Sequence, residues 1–410
     1  MSPTPSPTPS HTPPSVASPD AVAPGSPASW CEISASALRH NIAALKTLLL
    51  TNQKLGIVVK ADAYGHGLVP VARVLADSKV DWLITNFAWE ALALRRAGIS
   101  LPIYVCGHVA GFEAQALVEA RARCVLYDAD DAAALDAASR AAGIVTPVHL
   151  KVETGTHRQG LELKDALELG RRVRALPGLT LEGLTTHFAD IEDTTDHRFA
   201  ERQQARLDEA IIAFAGAGMP VPMGHAANSA ATLIDPMTHG HLVRVGIAAY
   251  GLWPSKETRA SFAERRVHRT MPATTHMTLQ AVLSWRARLA QVKDVAAGAY
   301  VGYGRTFRTT HPTRIAVIPV GYHEGYDRRL SNAAHVLIDG IRCPVRGRVC
   351  MNMIMVDVTD VPAARAGAVA TLLGEDGEER VSAEQLAGWM GTIHYEVVSR
   401  IHPSQPRIVV

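Results

Sequence analysis

A lysine at the end of a short apolar run is the strongest chemical signal in the chain. The segment Leu55-Gly-Ile-Val-Val-Lys60-Ala-Asp-Ala-Tyr64-Gly-His-Gly67 opens with β-branched residues over too few positions for a helix, which is typical of a buried strand. Burial disfavours a charged ammonium, and a neutral amine is a nucleophile that can form a Schiff base. The simpler alternative is a structural lysine that extends its charge to solvent from a strand end.

Regular alternation of strands and helices must position this lysine. Helical stretches rich in Ala, Leu and Arg separate eight candidate strands, Gly56–Lys60, Trp82–Thr85, Ile103–Cys106, Cys124–Tyr127, Val148–Val152, Leu181–His187, Pro222–Ala226 and Leu242–Val245. This rhythm favours a closed (β/α)8 barrel over an open sheet. A helical pattern over Ala37–Leu50 precedes it.

The pattern changes after Ala263. A long alternating stretch, Thr278–Val295, predicts a strand, and shorter strands follow between Gly, Pro and Asp turns, with one helix at Ala383–Met390. The predicted fold class is therefore α/β, with an N-terminal (β/α)8 TIM-like barrel over residues 29–263 and a mostly β C-terminal domain over residues 264–410. Periodicity alone leaves open which domain holds Trp30–Ser34.

Composition excludes several classes of function. A net charge of +2 over 410 residues gives no support to a nucleic-acid or membrane-surface role. The five cysteines are scattered without a C-x-x-C pair, so we expect reduced thiols, no zinc site and a cytoplasmic location. Residues 1–28 are dominated by Pro, Ser, Thr and Ala and lack both Lys and Arg, which predicts a disordered and dispensable tail rather than a signal peptide.

Polar residues recur at the carboxyl ends of the predicted strands, where barrel enzymes place their sites. Besides Lys60 these are Lys151, His187, Asn228, Ser229, and Arg244 within the eighth strand. A hydroxyl at the start of the helix after strand seven, with the glycine of Gly246-Ile247 after strand eight, suits a phosphate. Read alone, Ser229 is an ordinary N-cap.

These segments together resemble the alanine racemases, fold-type III enzymes that use pyridoxal phosphate. The resemblance runs from Trp30 to Val410 and includes Lys151-Val-Glu-Thr-Gly-Thr-His-Arg158, Tyr300-Val-Gly-Tyr303, Gly321-Tyr322-His-Glu-Gly, Met351-Asn352 and the Tyr-Glu-Val segment at Tyr395. In this family the N-terminal strand joins the β domain. Three departures stand out: Asn352 replaces an aspartate, His157 a glycine, and His323-Glu324 the usual Ala-Asp.

The resemblance implies specific roles. Lys60 would carry the cofactor and act as one catalytic base, and Tyr303 would be the second base. The other cofactor-binding residues would be Tyr64, Arg158, His187, Asn228, Ser229, Arg244, Gly246, Ile247 and Tyr395. Substrate would contact Arg158, Tyr303, Tyr322, Met351 and Asn352, and Lys151 would be a candidate for carbamylation, which would turn it into an anion beside Arg158. Arg244 would face the pyridine nitrogen and, unlike an aspartate, would leave it unprotonated.

The expected activity is the interconversion of L- and D-alanine by two-base proton transfer, supplying D-alanine for peptidoglycan, in a homodimer with shared active sites. The departures lie on the substrate side, so a serine or broad-specificity racemase is the near alternative. A non-catalytic protein that binds pyridoxal phosphate would lack the β domain and Tyr303. A decarboxylase of the same fold type would use an acidic partner for the ring nitrogen, which Arg244 opposes.

Overall fold

The computed structural model describes residues 26–267 and 277–410. Its N-terminal part contains an eight-stranded parallel sheet in which the first seven strands pair in chain order and the eighth pairs with the first. The strands are Lys54–Val58, Trp82–Thr85, Ile103–Val105, Arg123–Leu126, Thr146–Lys151, Leu179–Thr185, Met223–His225 and Leu242–Val245. Main-chain hydrogen bonds from His241 N to Gly224 O (3.0 Å) and from Arg244 N to Ala227 O (2.9 Å) close the ring. The predicted barrel is confirmed.

Helices surround the barrel, and side-chain caps fix the start of several of them. Ser34 accepts from the N–H of Ala37, and Asp128 caps the helix that follows it, as short polar side chains do at helix starts. The α-helices are Ala35–Lys46, Leu68–Ala76, Ala88–Arg96, Ala114–Glu119, Ala129–Ala141, Leu163–Ala175, Arg198–Gly216, Ser229–Ile234 and Lys256–Val267, and the 3₁₀ turns are Gly111–Glu113, Pro236–Thr238 and Ile247–Tyr250. A separate buried cluster is formed by residues of the barrel strands, namely Val58, Trp82, Ile84, Tyr104, Val125, Met223 and Leu242. Among the described residues no helix is long and apolar enough to cross a membrane.

The C-terminal part is mostly β. Its strands are Leu283–Arg288, Gln291–Val295, Tyr300–Val301, Phe307–Arg308, Thr313–Ile318, His335–Ile338, Ile341–Pro344, Ile354–Asp357, Val369–Asp376, Glu379–Val381 and Arg407–Val409, with helices Ala383–Met390 and His394–Ser399 and 3₁₀ turns Tyr303–Arg305 and Arg328–Leu330. The N-terminal strand Ser29–Ile33 pairs antiparallel with Leu283–Arg288 and parallel with Arg407–Val409. The first strand therefore belongs to the β domain, as the resemblance implied.

Three sequence expectations need adjustment. The single strand predicted over Thr278–Val295 is wrong: it is two strands in different sheets, because the chain changes pairing partner after Arg288. The helix predicted over Ala37–Leu50 spans Ala35–Lys46. The boundary predicted after Ala263 falls inside the helix Lys256–Val267.

The predicted tail lies largely outside the described residues, which begin at residue 26. Its last residue, Ala28, is tied to the β domain because its carbonyl accepts from the N–H of Arg288 at 2.8 Å. The described fold therefore includes the last residue of the predicted tail.

Candidate functional site

A cavity of about 400 Å³ opens at the carboxyl end of the barrel. Eleven of the residues predicted from sequence line it: Lys60, Tyr64, Lys151, Arg158, His187, Asn228, Ser229, Arg244, Gly246, Ile247 and Tyr395. The volume lies within the usual range for small-molecule sites. The barrel thus brings together side chains that are up to 335 positions apart in sequence, from Lys60 to Tyr395.

Lys60 starts a left-handed turn rather than ending a strand. The strand stops at Val58, and the next four residues after Lys60, from Ala61 to Tyr64, all have φ between 53° and 55°. This conformation costs an L-residue roughly 1–2 kcal/mol, so the surrounding structure must hold it. Within the turn, Gly65 N donates to Ala61 O at 3.0 Å and Asp62 Oδ1 accepts from Leu68 N at 2.7 Å.

Arg244 is buried, and within the described part of the chain its hydrogen-bond partners are all uncharged. Its Nη1 donates to His225 Nδ1 at 2.6 Å and its Nη2 donates to the carbonyl oxygens of Thr186 (2.9 Å) and Ala226 (2.8 Å). His187 Nδ1 lies 3.4 Å from the same Nη2. Burial, followed by the charge of Arg244, holds the pKa of both His225 and His187 well below the usual value, so both imidazoles are neutral acceptors.

A chain of hydrogen bonds continues from Arg244 through the barrel. Since His225 Nδ1 accepts from Arg244, its Nε2–H donates to His149 Nδ1 at 2.7 Å. His149 Nε2–H then donates to Glu182 Oε2 at 2.9 Å, and Arg123 Nε donates to the same oxygen at 2.7 Å. Although burial raises the pKa of Glu182, its bonds to His149 and Arg123 outweigh that effect and lower it. The chain therefore ends on a carboxylate and fixes the tautomer of each histidine.

Ser229 joins two loops into one wall of the cavity. Its Oγ accepts from the N–H of Gly246 at 2.9 Å and of Ala248 at 3.4 Å. The N-cap of the short helix is Asn228, whose Oδ1 accepts from Ala231 N at 3.0 Å, so the N-cap interpretation of Ser229 is wrong. A Cβ on Gly246 would collide with the Tyr64 hydroxyl, so only glycine allows the tyrosine to reach this wall.

The lining is electrostatically unbalanced. Four of its residues are basic, Lys60, Lys151, Arg158 and Arg244, and one, Glu192, is acidic. Burial, with the charges of Arg244 and Arg158, lowers the pKa of Lys151 to about 8. Burial, with the nearby Asp193, raises the pKa of Glu192 to about 7. The cavity consequently favours an anionic ligand.

The remaining predicted residues lie outside this cavity, on the β domain. The side chains of Tyr303, Met351 and Tyr322 are 72%, 56% and 43% exposed. Asn352 is also exposed, and its Nδ2 donates to Glu324 Oε1 at 2.7 Å. A single chain therefore does not bring the predicted second base to Lys60.

Sequence reasoning missed several residues of the site. Unpredicted lining residues include Asn86, Tyr104, Cys106, Gln159, Thr185 and Glu192, and His225 was missed as the partner of Arg244. His225 could have been found, because it lies at the end of the seventh predicted strand. Glu192 follows His187 in a loop whose sequence has no periodic signal.

Comparison with known proteins identifies the family of this chain. The family model of the alanine racemase N-terminal domain matches residues 33–254, and the family model of the C-terminal domain matches residues 282–409. The chain belongs to the alanine racemase family. An alanine racemase of Leptospira interrogans is 36% identical over 386 residues, covering 93% of this chain and 96% of the relative, and one of Syntrophobacter fumaroxidans is 41% identical, covering 91% and 95%.

Solved members of the family have the same fold. The alanine racemase of Clostridium difficile 630 superposes with a TM-score of 0.86 at 30% identity, covering 94% of this chain and 96% of that one. The Bacillus anthracis enzyme, solved with bound L-Ala-P, has a TM-score of 0.84 at 31% identity, covering 95% and 96%.

Proposed function

We propose that this protein is a pyridoxal-phosphate-dependent racemase that interconverts L- and D-alanine, providing D-alanine for peptidoglycan. The observation that carries the proposal is a buried Arg244, bound only to uncharged partners, on the same cavity as Lys60. An arginine at the ring nitrogen gives no proton to it, which limits electron withdrawal and favours simple removal and return of a proton. The five cysteines are free thiols, which suits a cytoplasmic location.

The residues present fit the cofactor. Lys60 would hold it covalently, and Arg244 would lie at the ring nitrogen. The joined wall of Ser229, Gly246 and Ile247, with Tyr395, would hold the phosphate, and the basic lining would balance its charge. When bound, the cofactor withdraws electrons from the α-carbon of the amino acid and so acidifies its proton.

The remaining cofactor contacts follow from the same lining. Tyr64, whose hydroxyl lies beside Gly246, would contact the phosphate, and His187 would contact the ring. Arg158 would face the phenolic oxygen and the substrate, and Asn228 would position Ser229 through the helix cap. Lys151 lines the same cavity as Arg158 and Arg244, and burial together with the charges of these arginines lowers its pKa to about 8. Only the neutral form of a lysine amine reacts with carbon dioxide, and a pKa of about 8 leaves a fraction of Lys151 neutral near pH 7. We propose that Lys151 is carbamylated and that the resulting anion neutralises part of the positive charge of the cavity lining.

Two bases would act from opposite faces of the substrate. Lys60 would move the proton on one face and Tyr303 on the other, because one base alone would return the proton to the face it came from. Tyr303 is exposed on the β domain of its own chain, so we propose a homodimer in which each β domain covers the cavity of the partner subunit. Tyr322, Met351 and Asn352 would reach the substrate in the same way.

Reduction with borohydride tests the role of Lys60. The purified holoenzyme should yield a pyridoxyl label on Lys60, found by peptide mapping, and should racemise L-alanine in a chiral product assay. Lys60→Ala should abolish both. Lys54→Ala is the matched control, since Lys54 starts the same strand at its exposed end, and it should change neither. A label on another lysine would contradict the assignment.

A substrate panel separates alanine racemisation from the alternative. Asn352 and Glu324, which both differ from the usual family residues, are hydrogen-bonded to each other. They lie beside the proposed substrate-contacting residue Met351 in the chain. Serine and other small amino acids should therefore be tested along with alanine. Equal or greater kcat/KM for L-serine than for L-alanine would replace alanine preference with a broader specificity while leaving the racemase reaction in place.

Mixing of inactive subunits tests the shared site. Lys60→Ala and Tyr303→Ala homodimers should each be inactive. A random mixture of the two subunits should recover roughly a quarter of the wild-type sites, because about half of the dimers are heterodimers and each heterodimer has one intact site of two. Tyr300→Ala is the control for Tyr303, since Tyr300 is an exposed tyrosine of the same segment. Heterodimers that form and stay inactive would refute sharing.

A further inference from the structure

The left-handed turn after Lys60 is bound by two ionic side chains that lie outside the cavity lining. One is Glu90, from the helix Ala88–Arg96 of the barrel. The other is Arg407, from the last strand of the β domain. They contact opposite ends of the turn, and each makes several hydrogen bonds to main-chain atoms.

Glu90 binds the start of the turn. It is 1% exposed, and its Oε1 accepts from the N–H of Ala61 at 2.8 Å. Its Oε2 accepts from the N–H of Asn86 at 2.7 Å and of Phe87 at 3.1 Å. One buried carboxylate thereby joins the residue after Lys60 to the loop that follows the neighbouring barrel strand.

Arg407 binds the end of the turn. Its Nε and Nη2 both donate to the carbonyl of Gly65, at 3.1 and 3.0 Å. The same guanidinium donates to the carbonyls of His402 (2.7 Å), Gln405 (2.6 Å) and Ile401 (2.8 Å). A Cβ on Gly65 would collide with the Val398 carbonyl, so the turn lies directly against the β domain that Arg407 fastens to it.

We propose that Glu90 and Arg407 are positioning residues that hold the left-handed turn at its two ends and thereby set the place of the Lys60 amine in the cavity. Residues 61–64 include no glycine, so their conformation depends on outside support. Charged groups hydrogen-bonded to the main chain give strong support. The inference rests on the proposed role of Lys60 as the cofactor lysine.

Hydrogen–deuterium exchange on the purified holoenzyme measures the turn directly. The N–H groups of Ala63, Gly65 and Gly67 are hydrogen-bonded within the segment, so they report its opening. In Glu90→Gln and in Arg407→Gln, peptides covering residues 58–68 should exchange about tenfold faster, because a charged hydrogen bond is lost. Glutamine has one acceptor oxygen and cannot keep all three contacts of Glu90.

Matched controls come from the same chain. Glu113 accepts from the N–H of Ala110 at 3.3 Å in another barrel loop. Arg314 donates to the carbonyls of Val361 (3.2 Å) and Ala364 (2.9 Å) in the β domain. Glu113→Gln and Arg314→Gln should leave exchange over residues 58–68 unchanged.

Kinetics test the effect on the amine. Both turn variants should lower kcat about tenfold with KM changed less than about twofold, and should slow attachment of pyridoxal phosphate to Lys60, trapped by borohydride, by a similar factor. Arg407→Lys should recover part of each loss, because an ammonium can still donate to Gly65. It also serves as the milder variant if Arg407→Gln does not fold.

The outcomes are distinguishable. Exchange over residues 58–68 that stays at the wild-type rate, or that rises only in step with all other peptides, would overturn the proposal. So would faster local exchange with unchanged kcat and attachment rate. If the wild-type protein does not racemise alanine while exchange and attachment respond as expected, the proposed function fails and the positioning of Lys60 stands.

Discussion

The buried imidazole of His66 should make the stability of the fold depend on pH below neutrality. His66 is 1% exposed and packs against the tilted ring of Tyr250, with ring centroids 4.4 Å apart. Its Nδ1–H donates to the carbonyl of Tyr64 at 2.9 Å. Burial lowers the pKa of His66 from 6.5 to about 4, and the hydrogen bond to Tyr64 opposes this effect only in part.

The sign and size of the effect follow from linkage. Between its folded pKa of about 4 and its unfolded pKa of 6.5, the imidazole binds a proton in the unfolded chain but not in the folded one. The stability associated with neutral His66 is therefore complete above the unfolded pKa and is lost as pH falls toward the folded pKa. From about pH 8 to about pH 5 the free energy of unfolding should fall by about 2 kcal/mol through this residue alone.

Urea unfolding of wild type and His66→Gln at these two pH values tests the prediction. Glutamine can still donate to the Tyr64 carbonyl but does not titrate, so the variant should lose about 2 kcal/mol less than wild type on acidification. Protein concentration is held constant because a dimer is stabilised by mass action. Tyr250→Phe is the control, since it removes a hydroxyl that donates to Val58 O but leaves the imidazole. Equal pH dependence in wild type and His66→Gln would refute the reasoning.

Three further substitutions follow from contacts in and around the site. Asn352→Asp replaces the hydrogen bond to Glu324 by a like-charge contact and should lower the free energy of unfolding by about 2 kcal/mol; Asn352→Ala, which adds no charge, should cost less. His225→Phe removes the hydrogen-bond partner of Arg244 Nη1 and His149 Nδ1 and should lower the free energy of unfolding by about 2–4 kcal/mol, measured with urea. A loss below about 0.5 kcal/mol would contradict the chain of hydrogen bonds described from Arg244 to Glu182. His157 has φ of 51°, so His157→Gly should stabilise by up to about 1 kcal/mol, and a lower melting temperature would contradict that.

The elements that sequence predicted best are those with a clear local signal. The strands Trp82–Thr85 and Leu242–Val245 and the helix Ala383–Met390 have the predicted bounds. The strands are short apolar runs, and the helix begins at the capping box of Ser382 and Gln385 and ends at Gly391. Such signals are local, so they survive without knowledge of the rest of the chain.

The elements that sequence missed depend on distant partners. The alternating pattern of Thr278–Val295 continues through residues 289 and 290. There the N–H of Leu289 donates to Ala368 O, whereas the N–H of Ala290 donates to Val317 O in another sheet. Periodicity does not reveal such a change of pairing partner. Ala61, Ala63 and Tyr64 of the left-handed turn are residue types that disfavour positive φ. The contacts that Glu90 and Arg407 make with this turn come from distant parts of the chain, and local sequence does not reveal them.

The site shows the same division between local and distant signals. Lys60, Ser229 and Arg244 were predicted because each lies within, at the end of, or just after a recognisable strand, and the resemblance then supplied the residues of the β domain. Glu192 was missed because it lies in a loop without a periodic signal and lines the cavity only when the barrel closes. His225 lies at the end of a predicted strand, but its hydrogen bond to Arg244 appears only in the folded barrel. Tyr303 was predicted as a base, and its exposure of 72% fits the proposal that it serves the cavity of a partner subunit, a contact that no single chain displays.

The charge at the centre of the barrel explains why the cavity needs an anion. A buried guanidinium is costly unless its charge is balanced. The imidazoles that bind Arg244 are kept neutral by burial and by Arg244 itself, and the carboxylate of Glu182 is separated from it by two histidines. Glu192, the acidic residue of the lining, has a pKa of about 7 and is only partly ionised near neutrality. An anionic ligand would balance this charge, and in the proposed function a phosphate-bearing cofactor and a carbamylated Lys151 would supply it.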